Sequence, residues 1–183
     1  MAKTHRALVV LHAGFEEVEA VTPIDLLARA NISVVQAALD ENPLVRGRNG
    51  MTLQATHHFD DVAGEEFDVL ILPGGPGIHE IRRHPVLCKR LQHQHAENKW
   101  IACICAAPLM LHDAGLLEGR RYTCHPSAAD ELANAVNEPV VEDGVLLTSR
   151  GAGTAIPFAL YIIGKLEGES AANEVAEAIC WTQ

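Results

Sequence analysis

Trp100-Ile-Ala-Cys-Ile-Cys105-Ala-Ala-Pro108 is the stretch that decides the fold. Trp100 to Ile104 is a short apolar run with no polar alternation, which reads as a strand buried on both faces of a sheet. Pro108 stands where a helix begins, since the first turn needs no N–H from it. Cys105 falls between the two, on a turn from strand to helix. A strand entering a helix this abruptly is the unit of a parallel sheet, and the same unit recurs on either side.

Upstream, Ala7 to Leu11 is a second apolar run, ending at Gly14. Val18, Val21, Ile24, Leu26, Leu27 and Ala30 then recur at helical spacing and predict a helix over about 16–30, with Pro23 either kinking it or marking its effective start. Ile32 to Leu39 returns to strand. Asn49-Gly50 between Leu44-Val45 and Met51 to Ala55 signals a hairpin. Phe67 to Leu72 is a further buried strand, stopped by Pro73-Gly-Gly-Pro-Gly77, and Val86, Leu87 and Leu91 mark the next helix. Downstream, the pattern predicts a helix over Pro108 to Leu117, a short strand over Arg121 to Cys124 and a short helix over Ala129 to Ala135. Asp143-Gly144 lies in a second hairpin, Pro139 to Thr148. Gly151-Ala-Gly153 opens an apolar helix over Ala155 to Leu166, and Ala171 to Cys180 is helical. The expected architecture is a mostly parallel α/β sheet covered on both sides, in one domain over residues 1–183.

Composition bounds the function. Hydrophobic residues make up 48% of the 183, too many for a disordered chain. Lys+Arg number 14 against Asp+Glu 24, a net charge of −10 with the basic residues scattered, so a nucleic-acid partner is not expected. No apolar run approaches the roughly 20 residues that span a bilayer. Ala7 to Leu11 is too short for a signal-peptide core and is followed by Glu16-Glu17. The five cysteines are odd in number and irregular in spacing, which favours free thiols and a cytoplasmic setting over a disulfide framework.

In open parallel sheets, sites form beyond the carboxyl ends of the strands. Four such exits carry chemistry: His12-Ala-Gly14, Leu72-Pro-Gly-Gly75, Ile104-Cys105 and Thr123-Cys-His125-Pro126. Cys105 has the position of a nucleophile elbow, and the helix start after it should lower the thiol's pKa. Cys103, inside the strand, reads as core. The bare backbone of Gly74-Gly75 and the N–H of Ala106 offer an oxyanion site. Neither a P-loop nor a Gly-x-Gly-x-x-Gly fingerprint is present. His57-His58 and His93-x-His95 lack the spacing that completes a metal site and read as structural or surface residues. No cofactor or metal is expected.

Glu16-Glu-Val-Glu19, Leu72-Pro-Gly-Gly75, Ala102-Cys-Ile-Cys105-Ala-Ala-Pro108, His125-Pro126 and Thr148-Ser-Arg-Gly-Ala-Gly-Thr154 together resemble the DJ-1/ThiJ/PfpI superfamily, most closely its DJ-1 branch. The motifs occur in order across nearly the whole chain. The resemblance implies a flavodoxin-like three-layer sandwich, usually a homodimer. It gives Cys105 the place of the reactive cysteine, Glu19 that of the carboxyl group touching its sulfur, and His125 that of the nearby histidine. The backbone oxyanion donors fall on Gly75 and Ala106.

The implied activity is glyoxalase-type conversion of small reactive carbonyls, methylglyoxal to lactate without glutathione, or the related deglycation. The alternative is an oxidative-stress sensor or protective protein working through oxidation of Cys105 to the sulfinic acid. One departure bears on hydrolysis. Glutamine amidotransferases on a related fold carry a glutamate two residues after their histidine, where this chain has Ser127. No local acid orients His125, with Asp25 and Asp130 the remaining candidates, so a complete triad and peptidase activity are not expected.

Overall fold

The structure, a computed structural model, describes residues 4–182. The strand expected from Ala7 is β1 (Arg6–Leu11), followed by α1 (Glu17–Arg29), β2 (Ser33–Ala38), the hairpin β3 (Leu44–Arg46) and β4 (Thr52–Gln54), β5 (His57–His58), α2 (Phe59–Val62) and β6 (Val69–Leu72). Next come α3 (Ile78–Ile81), α4 (Pro85–Ala96), β7 (Trp100–Ile104) and α5 (Pro108–Asp113). The chain ends with β8 (Val140–Asp143), β9 (Leu146–Ser149), α6 (Ala155–Glu167) and α7 (Glu169–Ala178). Glu17 opens α1, so Pro23 lies inside the helix and not at its start. Its missing N–H leaves the carbonyl of Glu19 without the usual i+4 donor.

Seven strands form one sheet in the order β5-β2-β1-β6-β7-β9-β8, parallel throughout except for β8 against β9. This is the flavodoxin-like α/β fold. The chain moves one way from β1 to β2 and the other way from β6 to β7. Right-handed crossovers therefore place α1 and α4 on opposite faces. α6 packs against α1, and α5 neighbours α4, which completes the two outer layers. Between them Leu8, Leu11, Leu70, Ile71, Leu72 and Ile101 are fully buried, as continuous apolar runs require. The order reverses between β1 and β6, and a crevice opens there at the carboxyl ends of the strands.

Two expected elements are absent. Arg121 to Cys124 joins no sheet, because the place beside β9 is taken by β8. Its N–H groups bond elsewhere: Arg121 donates to Asp143 Oδ2 at 2.9 Å and Thr123 to Thr148 Oγ1 at 3.0 Å. Ala129 to Ala135 forms turns instead of a helix. A single 3-10 turn spans Pro126–Ala128, and the Val136 N–H then reaches back to the Tyr122 carbonyl at 2.8 Å, closing a loop. α5 also stops before Leu117. Gly115, at φ +74°, ends it, and the Leu116 N–H bonds the Leu111 carbonyl at 2.9 Å in a Schellman closure. β5, α2 and α3 are too short for the periodicity of the sequence to have marked them.

Candidate active site

The crevice is built around a tight wedge of backbone. Glu16 caps α1, its Oε2 accepting the Glu19 N–H at 2.9 Å, while its own N–H donates to the Gly74 carbonyl at 3.0 Å. Gly74 and Gly75 pass between this cap and the end of β7. A Cβ on Gly74 would lie 2.6 Å from Cys105 Cβ and 2.8 Å from Glu19 Oε2. On Gly75, at φ +104°, it would lie 2.4 Å from the Gly14 carbonyl oxygen. Only glycine lets the carboxyl group and the cysteine come together here. His12, fully buried at the end of β1, ties the two strand exits. Its Nδ1 lies 3.1 Å from the Ala13 carbonyl and its Nε2 3.3 Å from that of Pro73, and burial pushes its pKa down.

Cys105 sits at φ +66°, in the left-handed region that a non-glycine residue enters at a cost of about 1–2 kcal/mol. Its N–H donates to the Ser149 carbonyl at 2.8 Å, and its carbonyl accepts the His125 N–H at 2.9 Å. The elbow is thus pinned between β9 and the histidine segment. It retains 8% exposure, whereas Cys103 has none, and all five cysteines are free.

Glu19 is buried and hydrogen-bonded to Cys105, and its Oε2 accepts the Gly74 N–H at 2.8 Å. Burial is the main cause that raises its pKa to about 7, against the lowering pull of those two hydrogen bonds and of the Arg48 charge. The lowered thiol pKa expected from the helix start does not prevail. Burial, then the Glu19 charge and the hydrogen bond to it, push the Cys105 thiol up, outweighing the N–H groups of Gly75 and Ala106. The two groups titrate as a pair. Placing the proton on Glu19 removes its charge and supplies an O–H, which leaves a thiolate facing the hydrogen donors of Gly75, Ala106 and Glu19. Gly74, by contrast, has already given its N–H to the carboxyl group and is not a free oxyanion donor.

His125 opens into the same crevice, about 460 Å³ in volume, as do Glu19, Cys105, Gly75 and Ala106. Neither Asp25 nor Asp130 orients it: Asp25 pairs with Arg29. The orienting residue is Ser127, whose backbone N–H donates to His125 Nδ1 at 3.1 Å and whose hydroxyl lies 2.9 Å away. An N–H can only donate, so Nδ1 is the acceptor and the ring proton of the neutral form sits on Nε2. Gly151 lies against the ring, where a Cβ would approach Cδ2 to 3.3 Å.

Sequence reasoning missed Glu16 as the cap and Arg48 and His79 as further lining residues. His79 follows the glycine-rich exit at the start of α3, a signal that was available. Arg48 was not legible. It reaches the crevice because Glu17, buried under the β3–β4 hairpin, accepts from the Asn49 N–H at 2.6 Å and from Asn49 Nδ2 at 3.0 Å. Arg82, just past α3, ties three walls together. It grips Asp113, at the end of α5, through Nε at 2.6 Å and Nη2 at 2.9 Å, and Glu131, beyond His125, through Nη1 at 2.9 Å. Among the described residues no group of three or more His, Cys, Asp or Glu is arranged to hold a metal, and no helix is long and apolar enough to cross a membrane.

The chain as a whole is similar to known proteins. Residues 5–165 match the DJ-1/PfpI family. Protein dj-1beta of Drosophila melanogaster is 36% identical over 178 residues, covering 94% of this chain and 95% of that protein. The glutathione-independent glyoxalase DJR-1.2 of Caenorhabditis elegans is 32% identical over 185 residues, covering 98% of each. The crystal structure of the Drosophila protein superposes with a TM-score of 0.95 at 35% identity, covering 99% of this chain and 100% of that one. Toxoplasma gondii DJ-1, solved oxidized, gives 0.94 at 32%, covering 98% and 100%. With the family pattern, the fold and near-complete relatives in agreement, the chain belongs to the DJ-1/PfpI family.

Proposed function

We propose that the protein is a glutathione-independent glyoxalase, converting methylglyoxal and water to lactate. The observation that carries this is the Glu19 carboxyl group hydrogen-bonded to the Cys105 thiol beside the N–H groups of Gly75 and Ala106. The Cys105 thiolate adds to the aldehyde carbon, and the oxygen that gains the charge is stabilised by those N–H groups and protonated to a hemithioacetal. Glu19, as carboxylate, takes the proton from that carbon, giving an enediol, and returns a proton to the adjacent carbon. The former ketone is thereby reduced and the former aldehyde carbon oxidised to a thioester. Water cleaves the thioester to lactate and restores the thiol, so no external oxidant or reductant is needed. His125, with its proton on Nε2, serves as a donor to the substrate oxygens. A histidine held at Nδ1 by an N–H lacks the acid that stabilises an imidazolium, which argues against a peptidase triad. The relative named as a glyoxalase supports the reading. The test is lactate formation from methylglyoxal by the purified protein with no glutathione present. Absence of lactate overturns it.

A second reading uses the same thiol. Cys105 is the cysteine that opens into the crevice, and its Glu19 neighbour is placed to hydrogen-bond a sulfinate. Peroxide would then add two oxygens at Cys105 ahead of the other four cysteines, as read by peptide mass spectrometry. Equal oxidation at all five overturns this reading.

We also propose a homodimer. Val18 and Val21 on α1 and Leu44 and Met51 on the hairpin are exposed, and the Glu17–Asn49 bonds bring these two elements together. Light scattering at micromolar concentration should give twice the 19.8 kDa chain mass. A monomeric mass refutes the dimer.

A further inference from the structure

The turn Pro73-Gly74-Gly75 carries two peptide planes into the crevice, and each points a hydrogen donor at a reacting group. The Gly74 N–H donates to Glu19 Oε2 at 2.8 Å, and the Gly75 N–H faces the Cys105 thiol. A trans peptide is planar, with its C=O and N–H on opposite sides, so a partner that holds the carbonyl also aims the N–H. The Gly74 carbonyl is held by the Glu16 N–H at 3.0 Å, which fixes the plane presenting the Gly75 N–H. The Pro73 carbonyl shares its plane with the Gly74 N–H, and it faces His12 Nε2 at 3.3 Å. Two successive glycines leave these planes unusually free to rotate, so hydrogen bonds must hold them.

His12 is a fully buried ring between two acceptors, with Nδ1 3.1 Å from the Ala13 carbonyl. Gly77 makes room for it, since a Cβ there would lie 2.7 Å from Nδ1. The Ala13 N–H is given to Asp40 Oδ2 at 3.3 Å, and the imidazole is the donor that reaches the Pro73 carbonyl. Burial disfavours the charged ring, against the pull of the Asp40 and Glu80 charges. A neutral imidazole has one N–H, for which the two carbonyls compete. Ala13 is exposed, so water can serve its carbonyl. The contact with Pro73 is buried, and a carbonyl left there without a donor bears its full desolvation cost. The proton therefore belongs on Nε2.

We infer that His12 is a positioning residue for the proton carrier: its Nε2–H holds the Pro73 carbonyl, and the shared peptide plane holds the Gly74 N–H against Glu19. Hydrogen bonds in series through one amide polarise it, which makes the Gly74 N–H a stronger donor to the carboxylate. His12 does not line the crevice and acts only through this peptide. The inference rests on the glyoxalase reading for what Glu19 does, but not for how Glu19 is held.

Glutamine at this position keeps a donor at the reach of Nε2, whereas asparagine keeps one only near Nδ1. We expect His12→Asn to lower kcat for methylglyoxal by about tenfold with little change in KM, and His12→Gln to keep most of the parent kcat. The acid limb of kcat should also move to higher pH in His12→Asn, because Glu19 loses a hydrogen bond that lowers its pKa. Parental kcat in folded His12→Asn, or equal losses in the two variants, overturns the inference. Two spectra need no turnover. Nitrogen NMR of the parent protein should show the His12 ring at neutral pH with its proton on Nε2, and a proton on Nδ1 overturns the inference. Carbon NMR of the Glu19 carboxyl group should give a midpoint of about 7 in the parent and a higher one in His12→Asn. An unmoved midpoint likewise overturns it. If the protein forms no lactate, the glyoxalase reading fails, and the two spectra still decide whether His12 holds Glu19.

Discussion

Cys105→Ala is expected to lower kcat for methylglyoxal by about a thousandfold or more, to the level of the protein-free reaction, while the protein stays folded. The thiol is the atom that bonds the substrate in the proposed mechanism, and no second sulfur replaces it. Cys103 is fully buried in β7 and burial pushes its pKa far up. Stability should respond differently. Alanine keeps the φ of +66° with the same backbone strain, so Tm should move by only a few degrees, about 2–4 °C for each kcal/mol in a chain of this size. Cys105→Gly relieves the strain and should be more stable than Cys105→Ala by about 1 kcal/mol. Methylglyoxal turnover at the parent rate in folded Cys105→Ala would sink the mechanism. A glycine variant less stable than the alanine variant would remove the argument from strain.

Glu19→Gln is expected to lower kcat by about 10²–10⁴-fold, the usual worth of a positioned proton carrier. Glutamine keeps the shape and can donate to sulfur, but it cannot take a proton from carbon. It also removes the charge that opposes the thiolate. Alkylation of Cys105 by iodoacetamide should therefore persist in the variant, and its onset should move to lower pH. Activity lost with alkylation retained identifies Glu19 as the proton carrier. Losses of equal size would instead make it a generator of the thiolate.

The same substitution has a signature in stability. In the folded protein the Glu19 pKa is raised from 4.5 to about 7, so the folded state binds more protons than the unfolded state between those values. Parental stability therefore falls as pH rises through that window, and glutamine feels no such loss. The Tm of Glu19→Gln relative to the parent should climb from pH 5 to pH 7.5. A flat difference would mean that Glu19 ionises normally in the folded protein.

Much of this was legible because it is local. Apolar runs gave β1, β6 and β7 to within two residues, since a strand buried on both faces tolerates few other residues. Asn49-Gly50 and Asp143-Gly144 marked both hairpins, because their backbone conformation selects those residues. The elements that failed depend on remote partners. Arg121 to Cys124 has the composition of a strand but no free edge beside β9, and Val136 bonds Tyr122 where a helix was expected.

The site divides along the same line. That Cys105 ends a strand and begins a helix turn, with Gly74-Gly75 at a neighbouring exit, follows from the sequence alone, because chain connectivity in a parallel sheet brings such exits to one edge. Which way the protons lie was decided only in three dimensions. The sequence suggested a thiol acidified by a helix start, whereas burial and the Glu19 carboxylate reverse that direction and make the two groups share a proton. Ser127 as the partner of His125, and Arg48 brought in by the Glu17–Asn49 contact, likewise depend on distances of a few ångströms between segments. Spacing along a chain fixes the exits of strands, but desolvation and hydrogen bonding act through space, and only the packed fold sets them.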